Sequence, residues 1–129
     1  MENRGGKNIY GKELILDLHE CDISKFNRAD LEIYLKKLCD LIDMERCDLH
    51  WWDYVGVPEE ERDTEAHLVG TSVVQFIKTS DIVIHTLDIL KKAYFNIFSC
   101  KDFDEKAAAE FSKEYFGGII ASQHVIDRI

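Results

Sequence analysis

The stretch that most constrains the fold is residues 70–100, where apolar and polar side chains alternate. The apolar residues are Ile82 and Ile84 and, after a polar bend, Ala93, Phe95 and Ile97. A period of two residues over segments of this length is typical of β-strands and not of a helix. The segment therefore predicts three consecutive strands.

Three side chains that can act as a nucleophile, base or acid lie on these strands: Ser80, His85 and Cys100. Side chains alternate between the two faces of a strand, so Cys100 shares a face with Tyr94 on the last of the three. If the strands pair through the bend at residues 87–92, we expect His85 and Cys100 to face one pocket. Taken singly, a turn serine, a strand histidine and a cysteine on an apolar strand are ordinary structural residues.

The rest of the chain predicts two amphipathic helices and further strands. Apolar residues recur every three to four positions over residues 27–44, with Asn27 as N-cap, and again after Asp104 in a helix that ends at Gly117. Further strands are predicted at residues 9–19, 47–55 and 119–126. This order favours an α/β fold class: a two-layer sandwich with a largely antiparallel sheet and two helices packed on one face.

The 129 residues show no break in composition and predict one domain spanning residues 1–129. Residues 1–8 are polar and contain glycine, so we expect a flexible arm. Residues 56–67 carry glycine, proline and an acidic run, which predict a charged loop. No apolar run reaches the roughly 18 residues of a membrane span and no signal-peptide core begins the chain, which favours a cytoplasmic protein with no membrane partner.

The formal charge of −9 bears on the partner that the chain can bind. It disfavours a nucleic acid, which needs clustered Lys and Arg, and favours a small cationic substrate. The four cysteines show no CxxC pairing and are expected to be thiols, and their spacing relative to His19 and His50 supports a structural zinc site only weakly, so no metal is expected. Trp51 and Trp52 either pack on the sheet, or one of them stacks on a cationic or aromatic substrate.

The spacing of four polar residues resembles that of the prokaryotic and archaeal S-adenosylmethionine decarboxylases. The family segment reads G-V-[ST]-G-V-V, then E-S-H-x-[ST]-I-H-T-W-P-E, then a strand ending in F-[ST]-C-G. Ser80 matches the serine of the second motif, His85 the histidine five residues later and Cys100 the cysteine twenty residues after Ser80. Ser72 matches the serine eight residues before Ser80.

The resemblance extends to both ends of the chain. LILDLHECD at residues 14–22 is similar to the family's opening strand, and DEKAAAEFSKEYF at residues 104–116 is similar to its last helix. Relative to the family, residues 56–67 are an insertion.

The resemblance implies a self-cleaving enzyme that makes a pyruvoyl cofactor from Ser80. The hydroxyl of Ser80 attacks the carbonyl of Thr79, the chain is cut between the two, and the ketone left at position 80 condenses with the substrate amine as a Schiff base while CO₂ leaves. His85 is then the base of processing, Ser72 supports processing, and Cys100 is the proton donor in turnover. A homodimer with sites built across its interface and a role in polyamine (spermidine) synthesis are also implied.

The sequence departs from the family beside this motif. Thr79 and Asp81 replace the residues that flank the serine, and the W-P-E motif is Leu87, Asp88 and Ile89. The family's glutamate that holds the ribose hydroxyls is therefore an isoleucine, and Asp88 is the candidate substitute. Three functions stay open: decarboxylation of S-adenosylmethionine, decarboxylation of a smaller basic amino acid such as ornithine or arginine, and a processing-deficient homologue acting as a partner or regulatory subunit.

Overall fold

A computed structural model of the protein describes residues 2–4 and 7–129. Neither of its α-helices is long and apolar enough to cross a membrane, within that part of the chain. The elements are β1 (Glu2–Arg4), β2 (Lys7–Ile9), β3 (Gly11–His19), α1 (Arg28–Leu41), β4 (Arg46–Trp52), β5 (Gly70–Ile77), β6 (Ser80–Leu87), β7 (Lys92–Ser99), α2 (Glu105–Phe116) and β8 (Ile119–Arg128). Single turns of 3₁₀-helix lie at Ile23–Lys25 and Glu59–Glu61.

The strands form two antiparallel sheets. β1 pairs with β2, and the other six strands follow the order β4-β5-β6-β7-β3-β8. The flexible arm predicted for residues 1–8 includes residues 1, 5 and 6, which lie outside the described residues. The three predicted strands of residues 70–100 are β5, β6 and β7, and they form the centre of the large sheet.

One face of the large sheet is buried beneath the two helices. Leu14, Leu16 and Leu18 on β3 are fully buried, as their alternation predicted. Tyr34 of α1 lies at the centre of this core, where its hydroxyl is 2.6 Å from the Ser112 hydroxyl of α2. The predicted fold class, a largely antiparallel sheet with two helices on one face, is therefore confirmed.

Helix α1 and strand β4 each end three residues earlier than the sequence predicted. The helix ends at Leu41 because Asp43 adopts a left-handed φ of 57°, which does not continue a helix. The strand ends at Trp52 because Asp53 accepts two hydrogen bonds from the Arg28 guanidinium, at 2.6 and 2.8 Å, and turns the chain toward α1.

The opposite face of the sheet, called the open face below, is rich in apolar side chains although both helices pack on the other side. Phe76 on β5 is 44% exposed and Trp52 on β4 is 54% exposed. By register and alternation the open face of the four strands β4 to β7 presents Trp52, Ser72, Val74, Phe76, Asp81, Val83, His85, Tyr94, Asn96 and Phe98. An antiparallel sheet that exposes one face to water normally carries polar residues there, so this face has the composition of a contact surface.

Candidate active site

The turn that precedes Ser80 is strained. Ser80 is the first residue of β6, and the two residues Lys78 and Thr79 connect it to β5. Two-residue hairpins require positive φ and usually contain Gly, Asn or Asp. Here Thr79 has a φ of 55°, a left-handed conformation that costs a β-branched residue about 1–3 kcal/mol. The peptide bond between Thr79 and Ser80 therefore follows a strained residue.

Ser80 and Cys100 meet where the start of β6 lies beside the end of β7. The backbone N–H of Cys100 donates to Ser80 Oγ at 3.0 Å, and this serine is nearly buried, with 8% of its surface exposed. The hydroxyl of Thr79 lies 3.2 Å from the Cys100 thiol and donates to the Lys78 carbonyl at 2.7 Å. The adjacent residues Thr79 and Ser80 thus form one hydrogen-bonded group with Cys100, which lies 21 and 20 positions after them in the sequence.

The surroundings of Cys100 favour its thiolate. Hydrogen bonding to the hydroxyls of Thr79 and Ser80 lowers the pKa of the thiol, partial burial opposes that change, and the Tyr10 hydroxyl lowers the pKa further. By contrast, burial raises the pKa of Cys21 to about 11. A lowered pKa with solvent access is typical of a cysteine that takes part in chemistry.

Ser72 and His85 form a second group on the open face. They lie opposite each other on β5 and β6, and a 2.7 Å hydrogen bond joins Ser72 Oγ to His85 Nδ1. A cavity of about 450 Å³ borders this pair, and Trp52, His67 and Tyr94 contribute to its walls. The cavity combines a base with aromatic surface, which suits a cationic or aromatic ligand.

The two groups lie at opposite ends of β6. Ser80 and His85 are five residues apart, which is about 16 Å along an extended strand. The register places His85 opposite Tyr94, whereas Cys100 lies beyond the far end of β7. The expectation that His85 and Cys100 face one pocket is therefore wrong for a single chain. We call Thr79, Ser80 and Cys100 the nucleophile half-site, and Ser72 and His85 the histidine half-site.

The nucleophile half-site is accessible from the open face. A cavity of about 290 Å³ reaches this end of β6, and it is lined by Phe76, Ile77, Thr79, Ser80, Asp81 and Phe98. Burial, followed by the nearby Glu13 carboxylate, raises the pKa of Asp81. A group from outside the chain can reach Ser80 through this cavity.

The two candidate tryptophans lie on opposite faces of β4. Trp52 projects from the open face, where its ring meets Tyr54 edge-on at 5.2 Å and lines the cavity of the histidine half-site. Trp51 packs against the core on the other face, with the Arg28 guanidinium 5.7 Å from its ring centre. Only Trp52 borders the cavity where a ligand would meet His85.

Asp88 does not line the cavity of the histidine half-site. Its backbone N–H donates to the Val69 carbonyl at 3.0 Å, and its side chain faces a cavity of about 470 Å³ beside the start of α1, shared with Arg28 and Arg62. Its Oδ1 atom is buried and has no hydrogen-bond partner among the described residues. Burial raises the pKa of the Asp88 carboxyl. Ile89, the position of the family's ribose-binding glutamate, is exposed.

We expect Asp88→Asn to stabilise the fold at neutral and alkaline pH. A carboxyl whose pKa is higher in the folded than in the unfolded chain favours folding when protonated, so its charge destabilises the fold once the pH exceeds the unfolded value of about 4. The free energy of unfolding in urea should therefore exceed that of the wild type at about pH 8, and the gain should shrink toward about pH 4. The exposed control Asp48→Asn should change little, and a less stable Asp88→Asn at pH 8 would contradict the argument.

The described residues contain no group of three or more His, Cys, Asp or Glu side chains that is placed to hold a metal ion.

A family model described as S-adenosylmethionine decarboxylase matches residues 12–129 of the chain. The adenosylmethionine decarboxylase of Aquifex aeolicus, a solved structure, has a TM-score of 0.73 at 18% sequence identity, over 95% of this chain and 92% of that chain. At this identity the likeness supports the fold. No curated protein matches the sequence.

Proposed function

Since the chain belongs to the S-adenosylmethionine decarboxylase family, we propose that it is a pyruvoyl-dependent decarboxylase of S-adenosylmethionine in polyamine synthesis. We propose further that it matures by cutting itself between Thr79 and Ser80. The observation that carries this proposal is the hydrogen-bonded contact of Ser80 and Cys100 at a strained turn.

The geometry of the nucleophile half-site suits self-cleavage. Ser80 Oγ attacks the carbonyl carbon of Thr79, and the bond to the Ser80 nitrogen breaks as the acyl group moves to oxygen. The Cys100 N–H holds the hydroxyl in place, and opening the strained turn relieves the positive φ of Thr79. Removal of the Ser80 α-proton then breaks the Cβ–Oγ bond, so the oxygen leaves with Thr79 as a carboxylate. Water replaces the nitrogen, ammonia is released, and a ketone remains.

The residues around Ser80 fit the resulting pyruvoyl group. β6 stays paired with β5 and β7 after the cut, so the new chain end at position 80 remains fixed. When formed, the group supplies a ketone that withdraws electrons from the bond broken on loss of CO₂. Cys100 Sγ, held beside position 80, donates a proton to the substrate carbon that has lost CO₂.

Removal of the α-proton needs a base, and His85, the residue to which the family resemblance gives this role, does not lie near Ser80 in a single chain. His85 of the same chain is about 16 Å away along the strand. In our proposal a second copy covers the open face, and the partner's His85 approaches Ser80 through the cavity beside Asp81 and Phe98. Apolar side chains such as Phe76 would then be buried between the two sheets.

The symmetry of such a homodimer follows from the position of the half-sites on β6. In an isologous pair, if Ser80 meets the partner's His85, then the partner's Ser80 meets His85. The two-fold axis must therefore pass near the midpoint of residues 80 and 85. On the open face that point is Val83, which contacts its own copy across the axis. Trp52, beside His85, would line each completed site.

Intact-mass spectrometry of the purified protein tests self-cleavage. The expected result is two fragments, residues 1–79 and a blocked 80–129. Their summed mass should equal the mass of the intact chain plus one water molecule and minus one ammonia molecule. Cleavage by a contaminating protease would add the mass of one water only, and an intact 15.0 kDa chain would overturn the proposal.

Release of CO₂ from S-adenosylmethionine, ornithine and arginine, assayed side by side, tests the substrate. We expect S-adenosylmethionine to be preferred.

Co-expression of two inactive variants tests the shared site. Ser80→Ala and His85→Ala homodimers should each lack cleavage or show it greatly slowed, because each loses one half of both sites. Random pairing makes half of the dimers mixed, and each mixed dimer has one complete site, so about a quarter of the wild-type cleavage and CO₂ release should return. Absence of any recovery in demonstrably mixed dimers would show that His85 does not act across an interface.

The position of the two-fold axis has its own test. Val83→Arg places a charge on the axis and should give uncut monomers by sedimentation. The control Val55→Arg changes an exposed residue, 66% accessible, that does not lie on the open face, and it should remain dimeric and cut. A dimeric, cut Val83→Arg would place the interface elsewhere.

A further inference from the structure

Three hydroxyl groups lower the pKa of the Cys100 thiol, and self-cleavage affects each of them differently. Thr79 Oγ1 lies 3.2 Å from the sulfur and shares its proton with the Lys78 carbonyl. Ser80 Oγ accepts from the Cys100 N–H. The third hydroxyl belongs to Tyr10, a residue to which the sequence gave no role, and its hydrogen bonding to the thiol lowers the pKa of Cys100.

The position of Tyr10 is fixed by contacts that do not involve Ser80. Its ring stacks on Phe98, with centroids 6.3 Å apart and planes inclined by 23°, and Phe98 lies two residues before Cys100. Its backbone N–H donates to the Arg128 carbonyl at 2.8 Å. The chain at Gly11 passes so close to Cys100 that an added Cβ would lie 2.8 Å from its Cα. The start of β3 is therefore held against the cysteine.

Self-cleavage removes or frees the other two hydroxyls. The oxygen of Ser80 leaves with Thr79 as a carboxylate, so position 80 retains no hydroxyl. Thr79 becomes a free chain end whose negative charge disfavours a thiolate nearby. Tyr10 is on the same fragment as Thr79, but its stacking partner Phe98 and its backbone partner Arg128 are on the other fragment, and neither contact uses residue 79 or 80. Of the three, it is the hydroxyl that cleavage leaves unchanged.

We propose that Tyr10 is a positioning residue for Cys100, whose hydroxyl donates to the sulfur in the processed enzyme. This inference rests on the proposed function. When Cys100 gives its proton to carbon, negative charge develops on the sulfur, and a hydroxyl that points at the sulfur stabilises that charge. The same contact holds the S–H group toward position 80.

Tyr10→Phe keeps the ring that stacks on Phe98 and removes only the hydroxyl. In the processed variant we expect alkylation of Cys100 by iodoacetamide to slow about fivefold near neutral pH, with its pH midpoint shifted upward, because the thiolate loses a hydrogen bond. kcat should fall by a similar factor with KM unchanged. Exposed Cys47 serves as an internal reference in the same digest, and Tyr54→Phe, at the other end of the sheet, as a matched control.

Alkylation is measured without substrate, so it separates this inference from the proposed function. The same comparison in the uncut Ser80→Ala chain should also show slower alkylation of Cys100, whatever the outcome of the decarboxylase assay. An unchanged pH midpoint in processed Tyr10→Phe would overturn the role of Tyr10, even in a fully active enzyme. A wild-type chain that stays uncut would overturn the proposed function and, with it, the claim that Tyr10 acts after cleavage.

Discussion

Ser80→Ala should yield one intact chain of 15.0 kDa and no release of CO₂ from any substrate. The substitution removes the nucleophile of self-cleavage and with it the atoms from which the cofactor is made. The fold should survive, because the change deletes a single oxygen and leaves the Cys100 N–H without its acceptor, a loss of about 1–3 kcal/mol. Intact mass, CO₂ release and thermal unfolding measure the three effects.

A serine far from the half-sites provides the control. Ser24 is exposed near the start of α1, and Ser24→Ala should be cut like the wild type. Two fragments of wild-type mass from Ser80→Ala would mean that another residue starts the cleavage. The assignment of Ser80 would then be lost, whatever the activity of the preparation.

Cys100→Ala should separate maturation from turnover. Attack by Ser80 and elimination at its own α-carbon use no thiol, and the backbone N–H of residue 100 is retained. The variant should therefore give both fragments. Turnover should fall about 10²- to 10⁴-fold, as is typical when a general acid is removed, since water must then protonate the carbon that has lost CO₂. Protonation at the wrong carbon should also make the variant lose activity progressively during turnover.

The control for this experiment is Cys47→Ala, at an exposed cysteine on β4. It should process and turn over normally. If Cys100→Ala decarboxylates at the wild-type rate, the thiol is a packing group, and its lowered pKa has no catalytic consequence. If Cys100→Ala instead stays uncut, the cysteine has a role in maturation that the geometry does not explain.

The fold was predictable because local patterns and tertiary packing agree. The alternation in β3 and β7 matches the faces that are buried, and the caps at Asn27 and Asp104 bind the helix N–H groups as expected. The ends of α1 and β4 were not predictable. They depend on a left-handed residue at position 43 and on the pairing of Arg28 with Asp53, two residues that are 25 positions apart.

The sequence named candidate site residues but did not give their arrangement. The spacing identified Ser80 and Cys100, and the structure brings them together. The spacing did not place Cys100 beside Ser80 and away from His85, because that arrangement depends on the register between β6 and β7. Tyr10 was missed because nothing in its surrounding sequence marks it. It meets Cys100 only through the placement of β3 beside β7.

The separation of the half-sites along β6 has a consequence for the kinetics of maturation. If each complete site needs two chains, then an isolated chain is an uncut precursor, and its maturation is a second-order process. Freshly made protein should accumulate in the precursor form when it is dilute and convert faster as its concentration rises. The amount of active enzyme would then rise more than twofold when the rate of synthesis doubles. The chain concentration at which this rise begins would be set by the dissociation constant of the dimer.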